Sequence, residues 1–204
     1  MVPDDGDELW PSLGPQVCDW IEDNLVFGPG DLRGDPAVVD DEKRALIYRM
    51  YEVYPEDHEQ AGRRRFKRVG ISQPKGMAKT ECAAWIAAAE LHHDSPVRCV
   101  GWEDGEPIGG PVTDPYIPMV AFTEEQSAEL AYGALKAILE ESPIADDFDI
   151  GLERIMRVNG DGKAVSLSNS PSARDGARTT FQLADEPLAL NTPVPTSGGW
   201  KTIG

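Results

Sequence analysis

Phe66-Lys67-Arg68-Val69-Gly70-Ile71-Ser72-Gln73-Pro74-Lys75-Gly76-Met77-Ala78-Lys79-Thr80, continued by an alanine-rich run to Leu91, is the stretch on which the fold turns. Its first seven residues alternate apolar and polar side chains as a strand does, and Gln73 to Met77 supply the breakers that end it. Ala78-Lys79-Thr80 then opens a helix that the alanines carry through Leu91. A strand feeding a short turn at a helix N-terminus makes an anion site, because unpaired backbone N–H groups and the positive end of the helix dipole point outward together. Lys79 adds a full charge there, and Thr80 a hydroxyl.

The eight residues Gln73 to Thr80 align with the phosphate-loop pattern Gly-x-x-x-x-Gly-Lys-Ser/Thr. Lys79-Thr80 matches its end, while Gln73 and Ala78 stand at the two signature glycine positions. Gly76 keeps some backbone freedom inside the loop, and alanine is the smallest residue that can replace the second glycine. On these eight residues alone, a nucleotide loop and an ordinary strand-to-helix turn with an exposed lysine both stand.

Towards the N-terminus, residues 1–14 are acidic with prolines and glycines, expected to form a flexible leader. Val17, Trp20, Ile21 and Leu25 recur at helical spacing within Pro15 to Leu25, and Gly28-Pro29-Gly30 stops that helix. Asp31 to Pro36 reads as a connector. Asp40-Asp41-Glu42 then precede a helix from Lys43 to Tyr51 with Leu46, Ile47, Met50 and Tyr51 on one side, acids leading and bases following as the dipole favours. Trp20, Tyr51 and Tyr54 read as packing residues. Arg63-Arg64-Arg65 with Lys67 and Arg68 form a basic run, either a solvated strand edge or a phosphate patch.

Towards the C-terminus, Ser95 to Trp102 is strand-like, Gly105 to Pro111 reads as a loop, and Pro115 to Phe122 reads as a buried strand. Thr123-Glu124-Glu125-Gln126 is a capping box opening a helix through Leu130, Leu135, Ile138 and Leu139 to Ser142-Pro143. Alternating strands and helices predict a parallel sheet. Asp146-Asp147-Phe148-Asp149 lacks cation-ligand spacing and reads as a solvated acidic turn. Arg154 to Val158 and Ala164 to Leu167 flank Asn159-Gly160-Asp161-Gly162, a hairpin turn signal without the spaced acids of a calcium loop.

Composition narrows the class. A chain of 204 residues supports one full core. No apolar run approaches the roughly 20 residues of a membrane helix, and the acidic start is unlike a secretion signal, so a soluble, unexported chain is expected. Cys18, Cys82 and Cys99 are scattered and odd in number, which points to reduced, mostly buried thiols. A formal charge of −17 excludes a surface that as a whole sheathes nucleic acid, so any such contact is local.

Thr179-Thr180-Phe181-Gln182-Leu183-Ala184 is a short strand that runs into Asp185-Glu186-Pro187. In doubly wound sheets ligands bind beyond the carboxyl ends of the strands, which directs both acids at the crevice of the lysine-bearing turn. One acid there can hold magnesium and the next can orient the water that attacks a γ-phosphate.

Taken together, Gln73 to Glu81, Ala121-Phe122-Thr123-Glu124-Glu125-Gln126 and Asp175 to Glu186, with Gly14-Pro15, Trp20-Ile21 and the segment Asp40 to Tyr51, resemble the N-terminal ATPase region of tailed-phage terminase large subunits. The resemblance runs from about Gly14 onward. It implies an α/β P-loop NTPase fold, a mostly parallel sheet flanked by helices and incomplete at its C-terminus. It also implies a division into a helical part at 15–62, a loop-and-sheet core at 63–190 and a truncated tail at 191–204. The implied activity is ATP hydrolysis with Mg2+, coupled to packaging of double-stranded DNA into the prohead.

Under that resemblance Gln73, Pro74, Lys75, Gly76, Met77, Ala78, Lys79 and Thr80 form the nucleotide loop. Lys79 meets the β- and γ-phosphates, Thr80 and Asp185 serve magnesium, Glu186 activates water, and Arg174, or else Arg178, is the charge-stabilising finger. The implied partners are the phage genome, the portal protein, the small terminase subunit and other copies in a ring on the prohead, with no membrane, in the cytoplasm of an infected bacterium. Two departures accompany it: Asp41-Glu42-Lys43-Arg44 stands where family members often carry an adenine-contacting glutamine, and the chain stops at Gly204 without the coupling strand or the nuclease. A partial large subunit is therefore expected. Another P-loop ATPase of helicase-like kind, or an inactive nucleotide-binding or adaptor fragment, are the alternative readings.

Overall fold

A computed structural model describes residues 10–74, 76–120, 131–160, 162–167 and 178–184. Its centre is the alanine-rich helix, α3 in chain order (Lys79–Leu91), buried almost all round: Ala84, Trp85, Ile86, Ala87, Ala88, Ala89 and Leu91 are inaccessible or nearly so. Alanines let neighbours approach closely, and a helix apolar on every side can only sit inside a core. Of the two N-terminal helices, α1 (Gly14–Asn24) packs on α3 and α2 (Asp41–Met50) packs on α1, while α4 (Ala131–Glu141) packs on α3 as well. Asp40 caps α2 by accepting from the Lys43 N–H, and Arg44 of α2 reaches Glu22 of α1 at 2.8 Å. The one large aromatic on α3, Trp85, donates from Nε1 to the Val26 carbonyl at 3.0 Å, so its polar tip is satisfied in the core. α1, α2 and α3 match their sequence-predicted spans within a residue or two, and α4 ends within a residue of the predicted stop at Ser142.

The sheet behind α3 has five strands in the order β4-β5-β6-β3-β7. They are β3 (Tyr116–Val120), β4 (Phe148–Ile150), β5 (Arg154–Arg157), β6 (Lys163–Leu167) and β7 (Leu183–Ala184). β3 runs parallel to β6 and β7, whereas β5 is antiparallel to both β4 and β6. The sheet is therefore mixed, not mostly parallel. The reason is the hairpin foreseen at Asn159 to Gly162: its tight turn joins β5 to β6, and tight turns make antiparallel pairs.

Two more expectations need correction. Gly105 to Pro111 is not a loop: β1 (Arg98–Glu103) and β2 (Glu106–Gly110) form a separate two-stranded antiparallel hairpin. Its turn is Asp104-Gly105, both with positive φ (50° and 85°), the backbone that an Asp-Gly pair adopts most readily. The strand expected over Phe66 to Ser72 is also not formed. Lys67, Arg68, Gly70 and Ser72 are exposed, and the segment joins no sheet ladder, although Val69 packs half-buried against the core. Alternation permits a strand, but only a paired backbone makes one. The capping box at residues 123–126 lies outside the described residues.

Candidate functional site

Arg157 fixes which way α3 points. Its guanidinium, at the end of β5, donates to the carbonyls of Leu91 and His92 at the C-terminus of α3, and also to Val112 (3.0 Å) and Thr113 (3.2 Å), just before β3. A buried cation among terminal helix carbonyls satisfies acceptors that have no intrahelical partner and opposes the helix dipole. The C-terminus of α3 is thereby pinned at the end of the sheet where β3 and β6 begin. Since α3 packs along β3 and, at about 1.5 Å per residue, its 13 residues are as long as the sheet is tall, its N-terminus emerges where β3, β6 and β7 end. That is the carboxyl edge at which open α/β sheets bind ligands.

The loop at that edge is shaped around Lys79. The Lys79 ammonium donates to the carbonyls of Gln73 at 2.8 Å and Pro74 at 2.9 Å, so one charge ties Gln73-Pro74 to the first turn of α3. Gly76 sits at φ 92° and Ala78 at φ 50°, ψ 35°, in the left-handed region. For an alanine that conformation costs about 1–2 kcal/mol. It falls at the position where the phosphate-loop pattern has its second glycine, the residue that reaches the left-handed region at no steric cost. Ala78 is the N-cap of α3, and its own side chain makes no capping hydrogen bond. The backbone N–H groups of a helix's first turn have no intrahelical acceptor, and Lys79 and Thr80 are half-buried at this end.

Neighbouring side chains hold the loop in place. Gln73 donates to Glu42 in the first turn of α2 at 2.9 Å, and Glu81 accepts the Gly28 N–H at 2.8 Å. Cys82 on α3 and Cys18 on α1 are buried free thiols whose pKa values burial pushes up to about 11 and about 12, so neither is a nucleophile at neutral pH. Of the sequence-predicted site residues, Gln73, Pro74, Gly76, Met77, Ala78, Lys79 and Thr80 are brought into one loop. Lys75, Arg174, Asp185 and Glu186 lie outside the described residues; Arg178 is described and exposed.

The far end of α3 carries groups that the sequence reading passed over. Glu90, fully buried, accepts from Tyr51 Oη at 2.9 Å and from Arg64, whose guanidinium also lies 4.0 Å from the centre of the Tyr51 ring. Burial alone would lower the Arg64 pKa, but Glu90 beside it holds it above the ordinary value; burial and then the Glu90 charge push Tyr51 up. Arg65 pairs with Glu52 and lies 3.6 Å from the centre of the Trp10 ring. Arg64 and Arg65 are thus packing residues, not part of a phosphate patch. A glutamate inside an otherwise apolar helix was the available signal, since a buried carboxylate needs a cation.

Asp147, from the expected acidic turn, lies with His92 and His93, their ligand atoms within 4.8 Å of one another. His92 Nδ1 accepts the Asp94 N–H at 3.1 Å, which leaves the proton of the neutral ring on Nε2, 3.1 Å from Asp147. A metal-ligating imidazole needs its second nitrogen to donate, so this grouping is a hydrogen-bonded pair and a poor ligand set.

No family model matches the sequence, and no curated protein matches it. Among solved structures the chain is similar to the crystal structure of the HK97 bacteriophage large terminase, with a TM-score of 0.60 at 18% identity. The match covers 86% of this chain and 31% of that one. At this identity the likeness concerns the fold: an α/β arrangement like that of a phage large terminase, spanning under a third of it. No helix among the described residues is long and apolar enough to cross a membrane.

Proposed function

We propose that the chain is the ATPase motor region of a phage terminase large subunit, hydrolysing ATP to drive double-stranded DNA into a prohead. The observation that carries this reading is the loop from Gln73 to Thr80, curled around the Lys79 ammonium with Ala78 held in the left-handed conformation of a phosphate-loop glycine. Its place at the carboxyl edge of the sheet, within a fold similar to a large terminase, supports it further.

The donor set suits a polyphosphate. Lys79 is partnered by two neutral carbonyls, and a phosphate oxygen offers it a charge-assisted bond roughly twice as strong. Binding then trades the Gln73 and Pro74 contacts for phosphate contacts. Thr80 and, by its place after β7, Asp185 would hold magnesium, which would neutralise charge on the phosphoryl oxygens. Glu186 takes the proton of the attacking water, and Arg174 of a neighbouring copy steadies the charge that builds up. The genome, the portal protein, the small subunit and a ring of copies are the partners this reading assigns.

Hydrolysis of MgATP in the presence and absence of double-stranded DNA tests it. Turnover that DNA stimulates is expected, with Glu186→Gln retaining nucleotide binding but losing about 10²- to 10⁴-fold in rate, as removal of a general base does. Binding and folding lost together in that variant would make Glu186 a structural carboxylate, and DNA-independent turnover would favour another kind of P-loop ATPase.

A further inference from the structure

We propose that Arg98 is a positioning residue, tying the base of the lysine-bearing helix α3 to the segment that leads into β7 and so setting where β7 ends. The inference rests on the ATPase reading for its effect on turnover, but its geometry is independent of it. Arg98 Nη1 straddles the buried Glu90 carboxylate of α3, 3.3 Å from Oε1 as a hydrogen bond and 3.0 Å from Oε2 as an ion contact. Its other nitrogen, Nη2, donates to the Thr180 carbonyl at 3.2 Å. One planar guanidinium therefore bridges two elements far apart in sequence.

Thr180 is the point where β7 acquires its register. The Thr180 N–H donates to the Tyr116 carbonyl at 3.1 Å, and Thr180 Oγ1 accepts the Tyr116 N–H at 3.0 Å, locking the segment to the first residue of β3. Met119 then pairs with Leu183 and Val120 with Ala184, and Asp185-Glu186 follow directly in the sequence. Among the described residues β7 pairs with β3, while Leu183 is buried in the core and Phe181 packs against it. Arg98 takes the remaining backbone group of Thr180 and refers it to Glu90. Because Glu90 and Lys79 sit at opposite ends of α3, this contact links the placement of β7 to the rigid body that carries the loop.

Arginine is required by this geometry. A lysine at 98 can still pair with Glu90 as a point charge, but it has no second, fixed arm for Thr180. Arg98→Lys thus separates the buried charge balance, which supports stability, from the bridge, which positions β7. The experiment compares the parent, Arg98→Lys, Thr180→Val and Thr180→Ser by thermal melting, amide exchange over residues 178–184 and MgATP turnover with kcat and KM resolved.

The expected result is that Arg98→Lys melts within a few degrees of the parent while exchange at Thr180 to Ala184 quickens about 10- to 100-fold, the loss of one hydrogen bond from a charged donor. Its kcat should fall by about 10- to 100-fold with little change in KM, as a small displacement of reacting groups does. Thr180→Val should behave likewise, and Thr180→Ser, which keeps the hydroxyl, should recover towards the parent. Unchanged exchange at 180–184 in Arg98→Lys overturns the proposal, as does faster exchange spread evenly over the chain with a lowered melting point. If the parent itself binds no nucleotide, the ATPase reading fails, while the exchange comparison still decides whether Arg98 holds β7.

Discussion

Ala78 carries the most informative single conformation in the chain. Its side chain is exposed and its φ is 50°, so the strain is not repaid by packing of its own methyl group. Glycine adopts the left-handed region freely, which recovers about 1–2 kcal/mol, but it adds unfolded-chain freedom worth about 0.4–1 kcal/mol. Ala78→Gly should therefore raise stability by up to about 1.5 kcal/mol in urea denaturation. A loss of about 1 kcal/mol would show that the methyl group is a packing contact and the loop unstrained. Lys79 and Thr80 were legible in the sequence because their order beside a helix start is itself the signal. The buried pairing of Arg64 with Glu90 was not, because Glu90 lies outside the local pattern around the arginines. Arg64 within a run of three arginines looks solvated until Glu90 is known to be buried.

At the scale of elements, periodicity located α1, α2 and α3 because each has an apolar face, or an apolar circumference, that only a core can satisfy. The same rule misread Phe66 to Ser72, where alternation exists but no partner strand meets it among the described residues. β1 was foreseen as the strand-like run ending at Trp102, but its partner β2 was missed for the opposite reason: it is short and partly exposed, and the hairpin's signal lies in the Asp104-Gly105 turn. The end of α3 offers a pH prediction. His92 is its C-cap residue, and burial holds its pKa below the ordinary 6.5, against the pull of the Asp147 hydrogen bond; His93 lowers it further, and Asp94 and Asp147 raise it. The unfolded chain thus takes up a proton near 6.5 that the folded chain refuses until lower pH. The unfolded state binds more protons in that window, so stability falls as pH drops from about 7 to about 5.5, with a slope of at most about 1.4 kcal/mol per pH unit from this group. His92→Asn, whose side-chain oxygen can still accept the Asp94 N–H, should flatten that slope in urea titrations at each pH. An unchanged slope would mean that His92 does not carry it.

The described residues form a helix-covered mixed sheet with a lysine-bearing loop at its carboxyl edge, and α3 connects that loop to the Glu90 cluster at the opposite edge. Its α/β character was readable from the alternation of elements. The mixed strand directions were not, because the hairpin that reverses β5 was read locally and never placed in the sheet. The likeness to a phage large terminase rests on this arrangement and not on extensive identity, so the chemistry of the loop has to be measured directly. The most direct measurement is equilibrium binding of MgATP to the parent and to Lys79→Ala by calorimetric titration, with melting curves to establish that both are folded. The account predicts saturable binding to the parent and a loss of at least about 100-fold in affinity in the variant, as expected when a charge-assisted phosphate contact is removed. Equal affinity in the two folded proteins, or no binding to the parent, would contradict it.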